Sequence, residues 1–256
     1  GYTSLLDAAL GGDTAVLAGL LDSGADINAN GSDGMNALLL ALRSLHSSAA
    51  EYLLDRGIDT TAQDQRGLGV LVYAVRAGDE EMLGRVLGDA DVNQRIDTSG
   101  TTLLLDAARL GNTRIIALLL DRGADPTTVN NYGSTALELA AGSGSAEAVE
   151  MLLANHAAVN ATNRHGQTAL HIAAMNGNGE VLKVLLSKDA QIDVADSRGS
   201  TPLMIAASND KLDSVRLLLE NGANPRLADL AGLTALQHAH GAGNGEMVRL
   251  IESAGR

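Results

Sequence analysis

Apolar and polar positions alternate along this chain in blocks rather than residue by residue. A stretch rich in alanine and leucine, long enough for two helical turns, runs into a glycine. A second apolar stretch carrying paired leucines follows, then another glycine and a polar loop. "GQTALHIAAMNG" from Gly166 shows the first half of a block, and Leu119-Leu120 and Leu218-Leu219 mark the second half of two others. A step of 33 residues from Gly166 gives "GSTPLMIAASND" at Gly199, and the next step gives "GLTALQHAHGAG" at Gly232. Steps backwards reach Gly133, Gly100, Gly67, Gly34 and Gly1, so eight registers fit without net slip. Self-similarity at such a period predicts a stacked array of small supersecondary units.

Each block reads as helix, turn, helix, loop. The Thr two residues after the opening glycine, as at Thr168, can cap a helix through its hydroxyl. The glycine that ends the first stretch (Gly12, Gly78, Gly111, Gly144, Gly177, Gly243) suits a backbone of positive φ. Gly24, Gly57, Gly123, Gly222 and Gly255 do the same for the second stretch. His156 and Asp189 stand where this second glycine is expected, and both tolerate a left-handed backbone better than most residues.

The block resembles the ankyrin repeat family across essentially the whole chain. The resemblance rests on the "G-x-T-P-L" of Gly199, Thr201, Pro202 and Leu203, the "T-A-L-H" ending at His171, and the "G-A-D-I-N" of Gly24 to Asn28. It implies an all-α solenoid of eight helix-turn-helix repeats with short turn fingers. The whole of 1–256 would be one domain, with repeats opening at 1, 34, 67, 100, 133, 166, 199 and 232. A single helix pair buries one face and does not offset an ordering entropy of about 1–2 kcal/mol per residue. Stacked neighbours bury a continuous core. Where repeats four to seven hold Leu120, Leu153, Leu186 and Leu219, the eighth holds Glu252, a charge suited to a capping face. The first three repeats depart from the pattern, with "MNALLLA" at Met35 and "LGVLVYA" at Leu68. The third also reads "LGDADVN", one residue short after its second helix, and regains one in "QRIDTSG" before Gly100. That break is either drift in a surface loop or a finger reshaped for a partner.

Composition narrows the core and the partners. There is no Phe, Trp or Cys, so the core is Ala, Leu, Val, Ile and Met, and disulfides, thiol catalysis and Cys-based zinc sites are excluded. A net charge of −13 spread along the chain argues against nucleic acid as a partner. No apolar run reaches the roughly 18 residues that span a bilayer. Gly1 stands in place of an initiator Met and points to a removed upstream segment. If that segment was a leader the protein is periplasmic or secreted; otherwise it is cytoplasmic.

Candidate chemistry dissolves into the repeat register. The equivalents of His171 are Leu6, Leu39, Val72, Leu105, Glu138, Met204 and Gln237, so no reactive group recurs there. The resemblance implies a framework histidine that hydrogen-bonds beside the Thr cap. His238 and His240 are two apart and point to different faces of a helix, which is wrong for a shared metal. "AAGSGSAE", Ala140 to Glu147, lacks the Lys-Ser/Thr of a phosphate loop and reads as a shortened first helix. The sequence therefore predicts no catalytic residues, no cofactor and no metal.

A binding surface is legible instead. By the resemblance, partners are held along a concave groove lined by first helices and fingertips. Nine residues after each opening glycine, three consecutive repeats place Arg43, Arg76 and Arg109 on one line. Tyr73 and Asp106 lie one helical turn before Arg76 and Arg109, and Met175 continues the line. Arg66, Tyr132, Arg164, His165 and Arg198 fall at fingertips. Tyr and Arg are enriched at the energetic centres of interfaces. Arg109 either pairs with Asp106 as a solvated bridge, or the group grips an acidic loop or chain terminus of a partner. The expected function is a non-enzymatic, monomeric module that binds one partner protein. Two other readings stay open. One is an immunity protein neutralising a secreted bacterial toxin or lipase, which the three Lys against fifteen Arg favour through the bias of a GC-rich gene. The other is a binding fragment of a larger effector.

Overall fold

A computed structural model describes residues 3–255. Gly1, the opening of the first repeat, lies outside the described residues. Among the described residues the chain forms sixteen α-helices and no strand, with isolated bridges such as Val129 to Thr135. The helices come in eight consecutive pairs. The first four are α1 (Ser4–Gly11) with α2 (Thr14–Asp22), α3 (Ala37–Arg43) with α4 (Ser47–Asp55), α5 (Val70–Ala77) with α6 (Glu80–Leu87), and α7 (Leu103–Leu110) with α8 (Thr113–Asp121). The rest are α9 (Ala136–Ser143) with α10 (Ala146–Ala154), α11 (Ala169–Asn176) with α12 (Gly179–Ser187), α13 (Pro202–Ser208) with α14 (Leu212–Glu220), and α15 (Ala235–Ala242) with α16 (Gly245–Ala254). No helix among the described residues is long and apolar enough to cross a membrane.

The chain divides into two compact units. One holds the described residues up to Ala107 together with Arg114–Ala124, and the other holds Ala108–Thr113 and the described residues from Asp125. Within the first, α1, α3 and α5 pack in succession, with α2, α4 and α6 behind them. Within the second, α9, α11, α13 and α15 form the front row and α10, α12, α14 and α16 the back row.

The helices start where the Thr register predicts. Thr3, Thr135 and Thr201 accept the backbone N–H three residues on, and Asn36 does so for α3. The third repeat has Gly69 at this position, and α5 starts with no side-chain cap. His156 and Asp189 have positive φ (70° and 61°) in place of glycine. Gly255 does not: it ends α16 at φ −83° with ordinary right-handed geometry. The shortened helix expected at "AAGSGSAE" is also absent. α9 has eight residues, as many as α1, α5, α7, α11 and α15, because Gly144 still makes the turn and Ser145 caps α10.

Two features had no expectation behind them. Position eight of every block is alanine: Ala8, Ala41, Ala74 and Ala107, then Ala140, Ala173, Ala206 and Ala239. All eight are buried. They sit in the middle of the first helices, where a single methyl lets neighbouring helices approach closely. The other is Leu45, which follows α3 at φ 62° with 66% of its surface exposed, where most repeats have glycine. A left-handed backbone costs an L-residue about 1–2 kcal/mol. Leu45→Gly should therefore raise stability by about 0.5–1 kcal/mol after glycine's own entropy cost. A urea midpoint that does not rise would show that the strain is relieved locally.

Candidate functional site

The fingers are built from a recurrent side chain that the sequence reading passed over. Three residues before each opening glycine from the third repeat on stands Asp or Asn: Asp64, Asp97, Asn130, Asn163, Asp196 and Asp229. Five of them accept two N–H groups of their own turn. Asn163 Oδ1, for example, takes His165 N at 2.8 Å and Gln167 N at 3.1 Å. Asp196 takes Arg198 N and Ser200 N at 2.8 and 2.9 Å. The backbone bond from Leu233, then the contact with His238, holds the Asp229 carboxyl below the usual range.

Successive fingers in the second unit are tied together by backbone bonds: Arg164 N to Tyr132 O, Ser197 N to His165 O, and Leu230 N to Arg198 O, at 2.9–3.0 Å. The opening glycine permits this approach. At Gly166, φ is 71° and a Cβ would lie 2.9 Å from Ser197 N. The third repeat closes its finger differently. Ile96 N, one residue early, bonds Thr101 O, and Gly88 takes an irregular φ of 46° with ψ −128°. The reshaped loop borders a cleft of about 400 Å³ lined by Gln63, Val70, Val86 and Arg95 among others.

The residues expected in one groove differ in exposure and in the partners they meet. Arg43 ends α3 with Nη1 3.8 Å from Asp33 Oδ2 and 3.0 Å from Met35 Sδ. Arg76 Nε donates to Asp106 Oδ2 at 2.8 Å. Asp106 is buried: its side chain is 3% exposed and accepts this bond from the neighbouring repeat. Tyr73 is also buried rather than lining an open groove, because its hydroxyl donates to Asp64 Oδ2 at 2.9 Å. Burial first, then the Asp64 bond, pushes that hydroxyl up to about 12. Arg109 is exposed at the end of α7, and Met175 is half-buried on α11. At the fingertips Arg66, Tyr132, Arg164, His165 and Arg198 are all exposed.

His171 is buried and fully engaged. Nδ1 accepts the backbone N–H of Thr168 at 3.1 Å, so the ring proton sits on Nε2, which donates to Ser200 O at 3.2 Å in the next repeat. One ring thus caps its own helix and ties two repeats. Burial, opposed by the Ser200 bond, holds the imidazole below its ordinary range. The unfolded chain then takes up a proton at higher pH than the folded one. Stability from neutral His171 is complete above about pH 6.5 and is lost as pH falls through the folded value. His171→Ala should cost about 1–2 kcal/mol at neutral pH. His171→Gln should keep the cap, since Gln237 accepts Thr234 N at 2.6 Å in the same register. It should also flatten the loss of stability as pH falls below about 6.5. Urea midpoints across that range check both outcomes; an unchanged acid slope in the Gln variant would contradict the assignment.

Glu138 takes the place of His171 one repeat earlier. Burial pushes its carboxyl up, against a 2.6 Å bond from Asn163 Nδ2. His238 Nε2 lies 2.9 Å from Asp229 Oδ2, in a cleft of about 580 Å³ that also contains Ser200 and Ser208. Ser208 Oγ donates to Ile205 O of its own helix at 3.0 Å, which leaves that proton outside the Asp–His pair. Among the described residues, no group of three or more His, Cys, Asp or Glu could hold a metal ion.

A family model described as ankyrin repeats (3 copies) matches residues 71–163, 104–196, 139–229 and 193–255, and one described as ankyrin repeats (many copies) matches 5–54. No curated protein matches the chain in sequence.

Proposed function

Because the chain belongs to the ankyrin repeat family, whose repeats generally mediate protein–protein interaction, we propose that it is a non-enzymatic module holding one partner protein across its fingertips and first helices. The supporting observation is the finger ladder. Its turns are fixed by backbone bonds, yet it carries outward side chains that remain largely in solvent, with Tyr132 61% exposed and the Arg198 side chain 75% exposed. Rigid display of Tyr and Arg is how interface centres are built at low entropic cost. The contact set is Arg66, Tyr132, Arg164, His165 and Arg198 at the fingers, with Arg43, Arg109 and Met175 on first helices. The reading takes the whole of 1–256 as one binding domain, monomeric apart from its partner. The narrower role, neutralising a secreted bacterial toxin or lipase, is supported by composition alone; a binding fragment of a larger effector is the other reading.

A photo-crosslinking amino acid at position 132 should trap the partner covalently in the native host. The trapped protein, titrated by calorimetry, should lose affinity for Tyr132→Ala and Arg109→Ala while circular dichroism stays unchanged. Trapping only from a residue on α10 or α12, with both variants binding normally, would place the interface elsewhere and defeat the proposal.

A further inference from the structure

The second unit carries more than a row of exposed side chains. In the front row, Leu139, Ile172, Ile205 and His238 recur in one register of α9, α11, α13 and α15. Ile172 lies against the preceding helix, since a Cβ on Gly142 would meet its Cγ2 at 3.4 Å. Leu139 and Ile172 are half-buried and Met175 continues the apolar floor. Along the finger side run Tyr132, then Arg164 and His165, then Arg198, then Leu230.

The accessible charge on that lip is of one sign. Arg164 and Arg198 are exposed, whereas the carboxylates of the same turns point inward. Asp196 has a 1% exposed side chain and spends Oδ1 on two backbone N–H groups, and Asp229 is 8% exposed and spends its own on Ala231, Leu233 and His238. Asp196 Oδ2 also meets Arg198 at 3.4 Å, but that guanidinium stays three-quarters in solvent. A cationic lip in a chain of net charge −13 runs against its average.

The far end of the lip adds an apolar seat. Leu230 is 81% exposed, the most open large apolar side chain among the described residues, and its backbone is pinned to Arg198 O. It lines a cleft of about 580 Å³ together with Met204, Ile205 and His238 among others. This volume is in the range that seats a side chain group or small ligand. An exposed leucine fixed over an apolar floor gains nothing from the chain's own folding.

We infer that this trough binds an acidic segment of a partner protein, with carboxylates meeting Arg164 and Arg198 and a large apolar side chain seated between Leu230 and Ile205. The inference rests on the protein-binding reading and specifies the chemistry of its partner. Charge selects the class: carboxylates complement the lip, and an apolar anchor complements the cleft. A nucleic acid also supplies anions, but it brings no aliphatic side chain for the floor, and the acidic remainder of the chain repels it.

The test is selection of random short peptides displayed on phage against the full chain, followed by fluorescence anisotropy with the synthetic consensus peptide. Enriched peptides should combine Asp or Glu with Leu, Ile, Met or Phe. Arg198→Glu and Leu230→Ser should each weaken the consensus peptide by about tenfold or more. Lys183→Glu, the same charge reversal on α12, should change it less than about twofold, and added salt should weaken binding. Failure to enrich any peptide, enrichment without acidic residues, or equal affinity of Arg198→Glu and Lys183→Glu would overturn the inference. So would an oligothymidylate that binds as tightly and with the same response to both trough variants. A partner trapped through position 132 that ignores Arg198→Glu and Leu230→Ser would sink this inference alone and leave the protein-binding reading intact.

Discussion

Arg76→Ala is expected to destabilise the protein by about 3 kcal/mol, the low end of the range for breaking a buried ion pair. The reason is asymmetric. Arg76 is about one-third exposed, but Asp106, its partner at 2.8 Å, is 3% exposed and would lose the Arg76 guanidinium as a donor. Asp106→Asn should cost less, because Arg76 can turn outward and the amide still accepts a bond. The double variant Arg76→Met with Asp106→Leu should recover most of the loss, since apolar groups of similar volume need no partner. Urea unfolding of the parent and these three variants makes the comparison. An Arg76→Ala variant as stable as the parent would mean that the pair is decoration. The result also governs how binding data are read: lost affinity in Arg76→Ala reports the fold first, whereas Arg109 and Tyr132 report the surface.

Ala173→Leu should cost about 3 kcal/mol, at the upper end of the range for overpacking. Ala173 is fully buried in the middle of α11, which packs between α9 and α13. Three added carbons have no void to enter, so the helices must separate along their whole contact. In a stacked array that penalty falls on both neighbouring interfaces, because each repeat is stabilised by the repeats beside it. Ala154→Leu, at the exposed end of α10, is the matched control and should stay within about 0.5 kcal/mol of the parent. The measurement is the thermal midpoint of both variants. A parent-like midpoint for Ala173→Leu would show that the invariant alanine marks something other than close packing.

Most of the local structure was legible in the sequence because it is set by short-range chemistry repeated many times. A Thr before an apolar run caps a helix wherever it occurs, and a residue able to hold positive φ ends one, whether it is Gly144, His156 or Asp189. Register carried these assignments even where single residues departed from the pattern. One reading failed and one end differed in geometry. "AAGSGSAE" looked too glycine-rich for a full helix, yet packing of α9 against α10 and α11 held all eight residues helical. Gly255 fitted the spacing, but a glycine is free to take right-handed geometry as well.

The Asp and Asn ladder of the fingers was present in the sequence at constant spacing and went unread, because polar residues in a loop carry no signature until their hydrogen bonds are seen. The same limit applies to the binding surface. Sequence placed Arg43, Arg76 and Arg109 at one register, and register alone determines which helix face a residue occupies. It does not determine which atoms that side chain meets, since a long guanidinium reaches across to the next repeat. Only the tertiary structure joined Arg76 to Asp106 and Tyr73 to Asp64, turning candidate contacts into framework. It left Tyr132, Arg164, Arg198 and Leu230 with side chains largely in solvent, because fingertips stand clear of the packed helices. Sequence determined the unit and its repetition through local chemistry; the pairing of charges between units of the repeat was decided by distances that exist only once neighbours are stacked.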